Sequence, residues 1–342
     1  MASRSKIKLA LVGSDTLRGR EIKDLLSRSD WKPIDLEFMD ADVKEEFAKL
    51  TDFREEARAV HALQPEELDG KDLVFLAADK KTSRLVGRRA GGRTFRALDL
   101  TESFNDDPKV PLIVAGVNEK DLDRKRPPLV ANPHPVTIIL SHLFHALLPV
   151  TGLAKAVVFV LEPVSAQDDA GIRELAGQSA ALLSGADPEK KIFPQQIAFN
   201  LLSHMGAPDE RGFSAIELRI PAEVRRVLGR PELPLFLTTI HAPVFHGYSL
   251  MAYLELEKNA EITGLEALFA ANPHFAVTSF RQGPEASPLS VAGKGEIFVG
   301  LVKQEASAPR SFWVWLVADN LTRGSALNAY GIARKLLEAK AR

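Results

Sequence analysis

Four side chains in this sequence could carry proton transfer or metal binding: His134, Glu162, His241 and Tyr248. Two imidazoles and a carboxylate suit an acid–base pair or part of a metal shell. A phenol with a reference pKa near ~10 is a poor base at neutral pH. Nothing in the spacing adds a ligand set, such as two histidines on one helix face backed by an acid, so no metal is expected. His142 and His145 are three apart and could meet on a helix, a pairing common by chance. Ser165 precedes a helical pattern and reads as an N-cap, with no histidine–aspartate pair to make it a nucleophile. No cysteine occurs among the 342 residues, which excludes disulfides, thiolate metal sites and thiol catalysis.

The elements that would position these groups follow an α/β pattern. Residues 6–13 read as a buried strand leading to a turn at Gly13. Residues 19–28 then place Ile22, Leu25 and Leu26 on one helical face, and 34–40 alternate as a strand ending at Asp40. Residues 72–78, 95–100 and 111–117 are further strand candidates, so a parallel, helix-covered sheet is expected. The charged stretch 41–58 reads as a solvated helix and loop. After an Arg-Pro-Pro loop at 126–128 the character changes. Residues 136–150 and 171–184 are helical, while 156–161, 213–220, 235–244, 249–257, 296–303 and 311–318 read as strands of an antiparallel-leaning sheet. Trp313 and Trp315, at strand period, share one face. Residues 324–340 carry an apolar helical stripe.

Composition narrows the class. Hydrophobic residues at 45% and charged residues at 26% describe a folded soluble chain. A net charge of −1 supplies no basic field for nucleic acid or an anionic membrane. No apolar run approaches the ~20 residues of a membrane span, and no signal-peptide core follows the first residues, so a cytoplasmic location is expected.

Seven segments resemble aspartate-semialdehyde dehydrogenases in order and approximate spacing. They are VGSDTLRGREI at 12–22, VPLIVAGVN at 110–118, LVANPHPVTI at 129–138, EPVSAQDDAGIREL at 162–175, FPQQIAFNLLSHMG at 193–206, HAPVFHGYS at 241–249 and VADNLTRGSALNA at 317–329. The resemblance implies a Rossmann-like parallel-sheet nucleotide-binding domain, 1–133, completed by a C-terminal helix, 324–342. It implies an α+β catalytic and dimerisation-type domain over 134–323. It also implies that a cysteine thiolate attacks the substrate carbonyl from the turn that here reads Asn132-Pro133-His134-Pro135. Pro135 stands in the cysteine's place, and a pyrrolidine ring has neither a nucleophilic atom nor an ionisable proton. By the same likeness Glu162 stands for a glutamine, His241 for the carboxylate-gripping arginine, Tyr248 for the catalytic histidine, and Asn105 for a phosphate-binding arginine. His134, Glu162, His241 and Tyr248 would then converge on the former catalytic cleft. Asn132, Pro133, Phe199, Asn200, Gly247, Asp319, Asn320, Gly324 and Asn328 are retained and read as residues that shape turns and packing.

The likeness also implies NAD or NADP, with Gly13, Thr16, Gly19, Asp40 and Asn320 as candidate cofactor contacts. The first turn keeps its outer glycines, Gly13 and Gly19, but Thr16 replaces the middle glycine that lets the backbone approach a pyrophosphate. Asp15, and Asp79 within Ala77-Ala78-Asp79-Lys80, add negative charge where phosphate would sit. Two such like charges at ~4 Å cost about 1–4 kcal/mol, and Arg18, Lys80 or Lys81 could offset part of it. Two readings stand: a strand, turn and helix that kept packing glycines, or a working nucleotide groove. In the second, Asp40 would accept ribose hydroxyls and favour NAD over NADP, although it lies further on than the usual ~20 residues. The expected function is that of a homodimeric binding or regulatory protein lacking the family reaction, with a small-molecule ligand in the former cleft. The alternatives are an NAD(P)-binding oxidoreductase acting on an aldehyde or semialdehyde, or a partner in mixed dimers with an active enzyme.

Overall fold

A computed structural model of the chain describes residues 6–31, 34–44, 49–92, 94–125, 127–278 and 286–338. They form two compact units, Met1–His134 with Ser325–Arg342, and Pro135–Gly324. The first unit runs β1 (Ile7–Val12), α1 (Leu17–Arg28), β2 (Ile34–Asp40), β3 (Leu50–Phe53), β4 (Glu56–Ala62), β5 (Leu73–Leu76), α2 (Lys80–Ala90), β6 (Ala97–Asp99), α3 (Lys120–Lys125) and β7 (Leu129–Ala131). The sheet order is β3-β4-β2-β1-β5-β6-β7. All neighbours are parallel except β3 against β4. Counting the parallel strands in chain order gives 3-2-1-4-5-6, the doubly wound Rossmann order, with its switch point between β1 and β5. Both middle strands are buried on both faces, which explains their continuous apolar runs.

The second unit runs α4 (Pro135–Leu147), β8 (Lys155–Glu162), α5 (Asp168–Leu183), α6 (Ala215–Leu228), β9 (Leu235–His241), β10 (Tyr248–Glu255), α7 (Ile262–Ala270), β11 (Phe275–Val277), α8 (Pro288–Val291), β12 (Ile297–Glu305) and β13 (Ala308–Ala318). Its order is β11-β12-β13-β10-β8-β9. The pairings β12–β13, β13–β10 and β10–β8 are antiparallel, while β8–β9 and β11–β12 are parallel. One face packs Val158, Val160, Leu250, Leu254, Val314 and Leu316 against α4, α6 and α7. Beyond this unit, a π-helical turn at Thr322–Ala326 opens α9 (Leu327–Glu338), whose Ala329, Ile332, Ala333 and Leu336 belong to the first unit's core.

Three expected elements differ. Residues 41–58, where described, contain the β3–β4 hairpin rather than a helix; 45–48 lie outside the described residues. Its turn holds Arg54 and Glu55 at φ 53° and 65°. Two left-handed residues suit a tight hairpin, but no Asn-Gly or Asp-Gly marks the place. Residues 111–117 make only a bridge from Leu112 to Ala131. Asn118 then folds the chain back, accepting from Val114 N and donating to the Leu112 carbonyl. Residues 213–220 enter α6 rather than a strand. Their apolar alternation suggests a strand, yet Ser214 and Glu217 close a capping box at the helix start.

Candidate functional site

Of the candidate nucleotide residues, Gly13, Thr16, Gly19 and Asp40 lie at the C-terminal edge of the first sheet, whereas Asn320 belongs to the second unit. Gly13 has φ +92°, and a Cβ there would lie 2.3 Å from the Ala78 backbone nitrogen. A Cβ on Gly19 would lie 1.9 Å from the Gly13 carbonyl oxygen. Both glycines are therefore demanded by backbone approach between turn, helix and neighbouring strand, whatever else the turn does. Thr16 is the N-cap of α1 and accepts from Gly19 N at 3.0 Å. Its hydroxyl hydrogen is shared between the carbonyls of Gly13 (3.1 Å) and Ala77 (2.8 Å), on the two sides of the switch point.

Asp40 ends β2 buried. It accepts from Ser14 N at 2.8 Å, Ser14 Oγ at 3.1 Å and Lys49 Nζ at 2.7 Å. Lys49 also meets Asp15 at 2.9 Å and Asp42 at 3.4 Å. Burial alone would lower the pKa of Lys49, but hydrogen bonds and charge from Asp40 and Asp15 outweigh it and raise that pKa. Asp79 caps α2, accepting from Lys81 N, Thr82 N and Thr82 Oγ1. Sequence reasoning misses Lys49, because nothing sets it apart within its charged stretch. Only its 2.7 Å approach to Asp40 makes it part of the site.

In the second unit, three of the expected residues form a row. Glu162 and His241 end β8 and β9 as partners in register. Tyr248 begins β10, whose next residue, Ser249, pairs with Leu161. All three are buried, and they continue the helix-covered face of the sheet. His241 Nδ1 lies 3.7 Å from Glu162 Oε1, beyond hydrogen-bonding length. The carboxylate therefore does not hold the imidazole charged. Burial lowers the His241 pKa to about 4, the charge of Glu217 opposes the shift, and His204 adds to it.

Since the unfolded histidine titrates near 6.5, the unfolded chain binds more protons between pH 6.5 and 4. Stability must fall as the pH falls through that window, by on the order of 2–3 kcal/mol. A His241→Gln variant should flatten that part of the urea-denaturation profile. Rising stability on acidification would instead mean a charged His241 paired with Glu162.

Pro135 is the first residue of α4 and packs on the π-helical turn: a Cβ on Gly324 would come within 2.6 Å of Pro135 Cβ. His134 and Asn105 are buried in the first unit. His142 and His145 do not share a site. His142 lies against His274, with ring centroids 4.2 Å apart, and burial holds its pKa well below the ordinary value, while His145 is exposed. Ser165 is not an N-cap. It lies in a 3₁₀ turn before α5, and its hydroxyl bonds the Asn320 side chain. Among the described residues, no group of three or more His, Cys, Asp or Glu could hold a metal ion.

Comparison with known proteins identifies the relatives. Residues 144–323, over half of the chain, match the family description "Semialdehyde dehydrogenase, dimerisation domain". This chain belongs to the semialdehyde dehydrogenase family. It is 30% identical to the aspartate-semialdehyde dehydrogenase of Shewanella violacea over 70% of this chain and 71% of that one. It is 28% identical to the Aquifex aeolicus enzyme, covering 97% and 98%, and 29% identical to the USG-1 protein homolog of Pseudomonas aeruginosa, also covering 97% and 98%. The fold of Vibrio cholerae aspartate semialdehyde dehydrogenase II, solved with ASA, superposes with a TM-score of 0.90 at 25% identity, covering 98% of this chain and 99% of that one.

In this member of the semialdehyde dehydrogenase family, Asp319, Asn320 and Asn328 act in the architecture. Asp319 accepts from Leu321 N, Thr322 N and Gly293 N. Asn320 accepts from Gly247 N at 2.9 Å, so its amide oxygen holds the turn before β10. Asn328 binds Ala115 N, the Ile113 carbonyl and Asn132 Oδ1, fastening α9 within the first unit. No helix among the described residues is long and apolar enough to cross a membrane.

Proposed function

We propose that this chain is a non-catalytic member of the semialdehyde dehydrogenase family, a cytoplasmic homodimer that binds a small molecule or regulates a partner. One observation carries the reading: no cysteine exists in the 342 residues, and by the family resemblance Pro135 stands where the attacking sulfur would be. An acyl-enzyme step needs an atom with a lone pair to attack the carbonyl carbon, and a proline side chain has none. The surrounding groups add to this. His241 is a neutral imidazole at pH 7 where a permanent cation would grip a carboxylate. Tyr248 is a buried phenol where a histidine would take the proton.

The dimer is supported by the dimerisation-domain match and by the sheet face opposite the helices. There Trp315, Met251 and Phe159 form one cross-strand row, and Trp313, Tyr253, Val157 and Phe236 form another. Phe159 is 41% exposed and Phe236 56%, an apolar surface suited to a second copy.

The purified chain is expected to show no phosphate-dependent reduction of NAD⁺ or NADP⁺ with aspartate semialdehyde. Pro135→Cys alone should not restore it, because His241 and Tyr248 are unchanged. Turnover by the natural sequence, proportional to protein and surviving removal of contaminating enzyme, would overturn the reading. The alternative, an oxidoreductase acting on an aldehyde, would need another nucleophile or a direct hydride route, and such turnover would reveal it.

A further inference from the structure

The fold implies a dinucleotide in the crevice at the switch point between β1 and β5. The residues there do not fit one. We propose that the first unit takes no dinucleotide, and that the Lys49 ammonium occupies the place on Asp40 that an adenosine ribose would need.

The ribose acceptor is already engaged. An acidic residue at the end of the second strand serves a dinucleotide by accepting from the ribose hydroxyls. A carboxylate has about four acceptor sites, and Asp40 already receives Ser14 N, Ser14 Oγ and Lys49 Nζ. At most one site is left, so a ribose, which presents two hydroxyls to such a carboxylate, could be gripped by both only if one of the three were displaced. Ser14 is wholly buried, so releasing its N–H would leave a donor without water or partner. Displacing Lys49 would break the strongest type of hydrogen bond present, between ions at 2.7 Å.

Among the backbone donors at the two helix starts, one at α1 and two at α2 are engaged as well. In a doubly wound fold the pyrophosphate rests on the backbone amides at a helix N-terminus. At α1, Gly19 N is held by Thr16 Oγ1, and that hydroxyl also bridges to the Ala77 carbonyl across the switch point. Thr16 thus places a branched side chain where the fold wants a bare backbone. At α2, Lys81 N and Thr82 N are both held by Asp79.

The sign of the charge completes the mismatch. Asp15 keeps 56% of its side chain exposed beside the turn, and Asp40, Asp42 and Asp15 together outnumber Lys49. Arg18, the cation within the turn, faces Glu102 at 3.6 Å. Lys80 and Lys81 lie at the start of α2, whose cap is Asp79.

The full chain should be titrated with NAD⁺, NADP⁺ and ADP-ribose by calorimetry and by melting temperature. A dinucleotide bound at about 10 μM and supplied at about 1 mM would raise the melting temperature by roughly 5–10 °C. The expected result is no heat of binding and no shift with any of the three. A saturable heat with a matching shift overturns the proposal.

A second readout follows Lys49 itself by mass spectrometry after brief treatment with an amine-reactive reagent. Lys49 should label at least several-fold more slowly than exposed lysines such as Lys191, at a rate unchanged by NADP⁺. Faster labelling of Lys49 on adding NADP⁺ would show the ammonium displaced, and would also overturn the proposal. Binding without turnover would sink this inference while leaving the non-catalytic reading intact. Turnover would sink both.

Discussion

Gly13→Ala should unfold the first unit or leave it at the edge of stability. A methyl group at that position would lie 2.3 Å from Ala78 N and 2.5 Å from Ala78 Cα, both backbone atoms that cannot rotate away. The residue also sits at φ +92°, where an L side chain is strained by about 1–2 kcal/mol before any clash. Overpacking against fixed backbone typically adds about 1–3 kcal/mol or more. A loss of roughly 4 kcal/mol is therefore expected, against a total that for natural domains is about 5–15 kcal/mol.

Gly19→Ala should behave alike, since its methyl would fall 1.9 Å from the Gly13 carbonyl oxygen. Gly177, inside α5, is the control, because a methyl added there would meet nothing within 4 Å. Gly177→Ala should stabilise by about 0.5–1 kcal/mol through helix propensity. Hydrogen exchange of the β1 and β5 amides would read the effect in the first unit directly. If Gly13→Ala protected those amides as well as the natural sequence does, the packing account of these glycines would be wrong.

Glu217→Ala should strongly destabilise the second unit. Oε2 of Glu217 accepts from Ser214 N and Ser214 Oγ, each at 2.8 Å. Oε1 accepts from Thr238 Oγ1 at 2.7 Å and Thr239 N at 3.0 Å. One carboxylate thus closes the α6 capping box and ties the helix to β9. Truncation would strand two backbone donors at a site where Ser214, Glu217 and Thr239 are all buried. Each stranded donor costs about 1–3 kcal/mol, so a total of about 3–5 kcal/mol is expected in urea denaturation.

The pH dependence gives a second measurement. Burial raises the Glu217 pKa, but the hydrogen bonds from Ser214, Thr238 and Thr239 outweigh it and the net shift is downward. A lowered carboxylate contributes stability above its unfolded pKa, here 4.5, and loses it as the pH falls through the folded value. Glu217→Gln should remove that acid-side loss while costing less at pH 7 than the alanine. It should also lower the His241 pKa further, since the Glu217 charge now raises it. A variant whose stability matched the natural chain at pH 7, with the same acid limb, would refute the role.

The two readings of residues 12–22, each bounded by glycines, are inseparable by sequence. Gly13 and Gly19 are compatible with either close packing or phosphate approach, because both need a missing Cβ. The distances to Ala78 and between the two glycines themselves account for them by packing alone. The hairpin at β3–β4 is hidden for a different reason. Arg54 and Glu55 adopt left-handed conformations without glycine or asparagine, so no local signal marks the turn. At α6 the signals conflict: the Ser214–Glu217 capping spacing is present, but apolar alternation through Ile220 followed by Pro221 resembles a strand end. The tertiary bonds from Glu217 to Thr238 and Thr239 favour the helix.

The amino-acid order alone reveals the family likeness and the want of any thiol nucleophile. The absence of cysteine and the proline at position 135 are facts of composition that no folding can alter. The alternation of buried strands with amphipathic helices likewise follows from local periodicity, since each element must hide its own apolar face. The pairing of the polar groups emerges only on folding. Asp40 is shared by Ser14 and Lys49, Thr16 reaches Ala77, and Asn320 holds Gly247 rather than standing free. These are choices among many donors of similar strength. They are settled by which backbone segments come within about 3 Å once the sheets are assembled, and no local propensity records them.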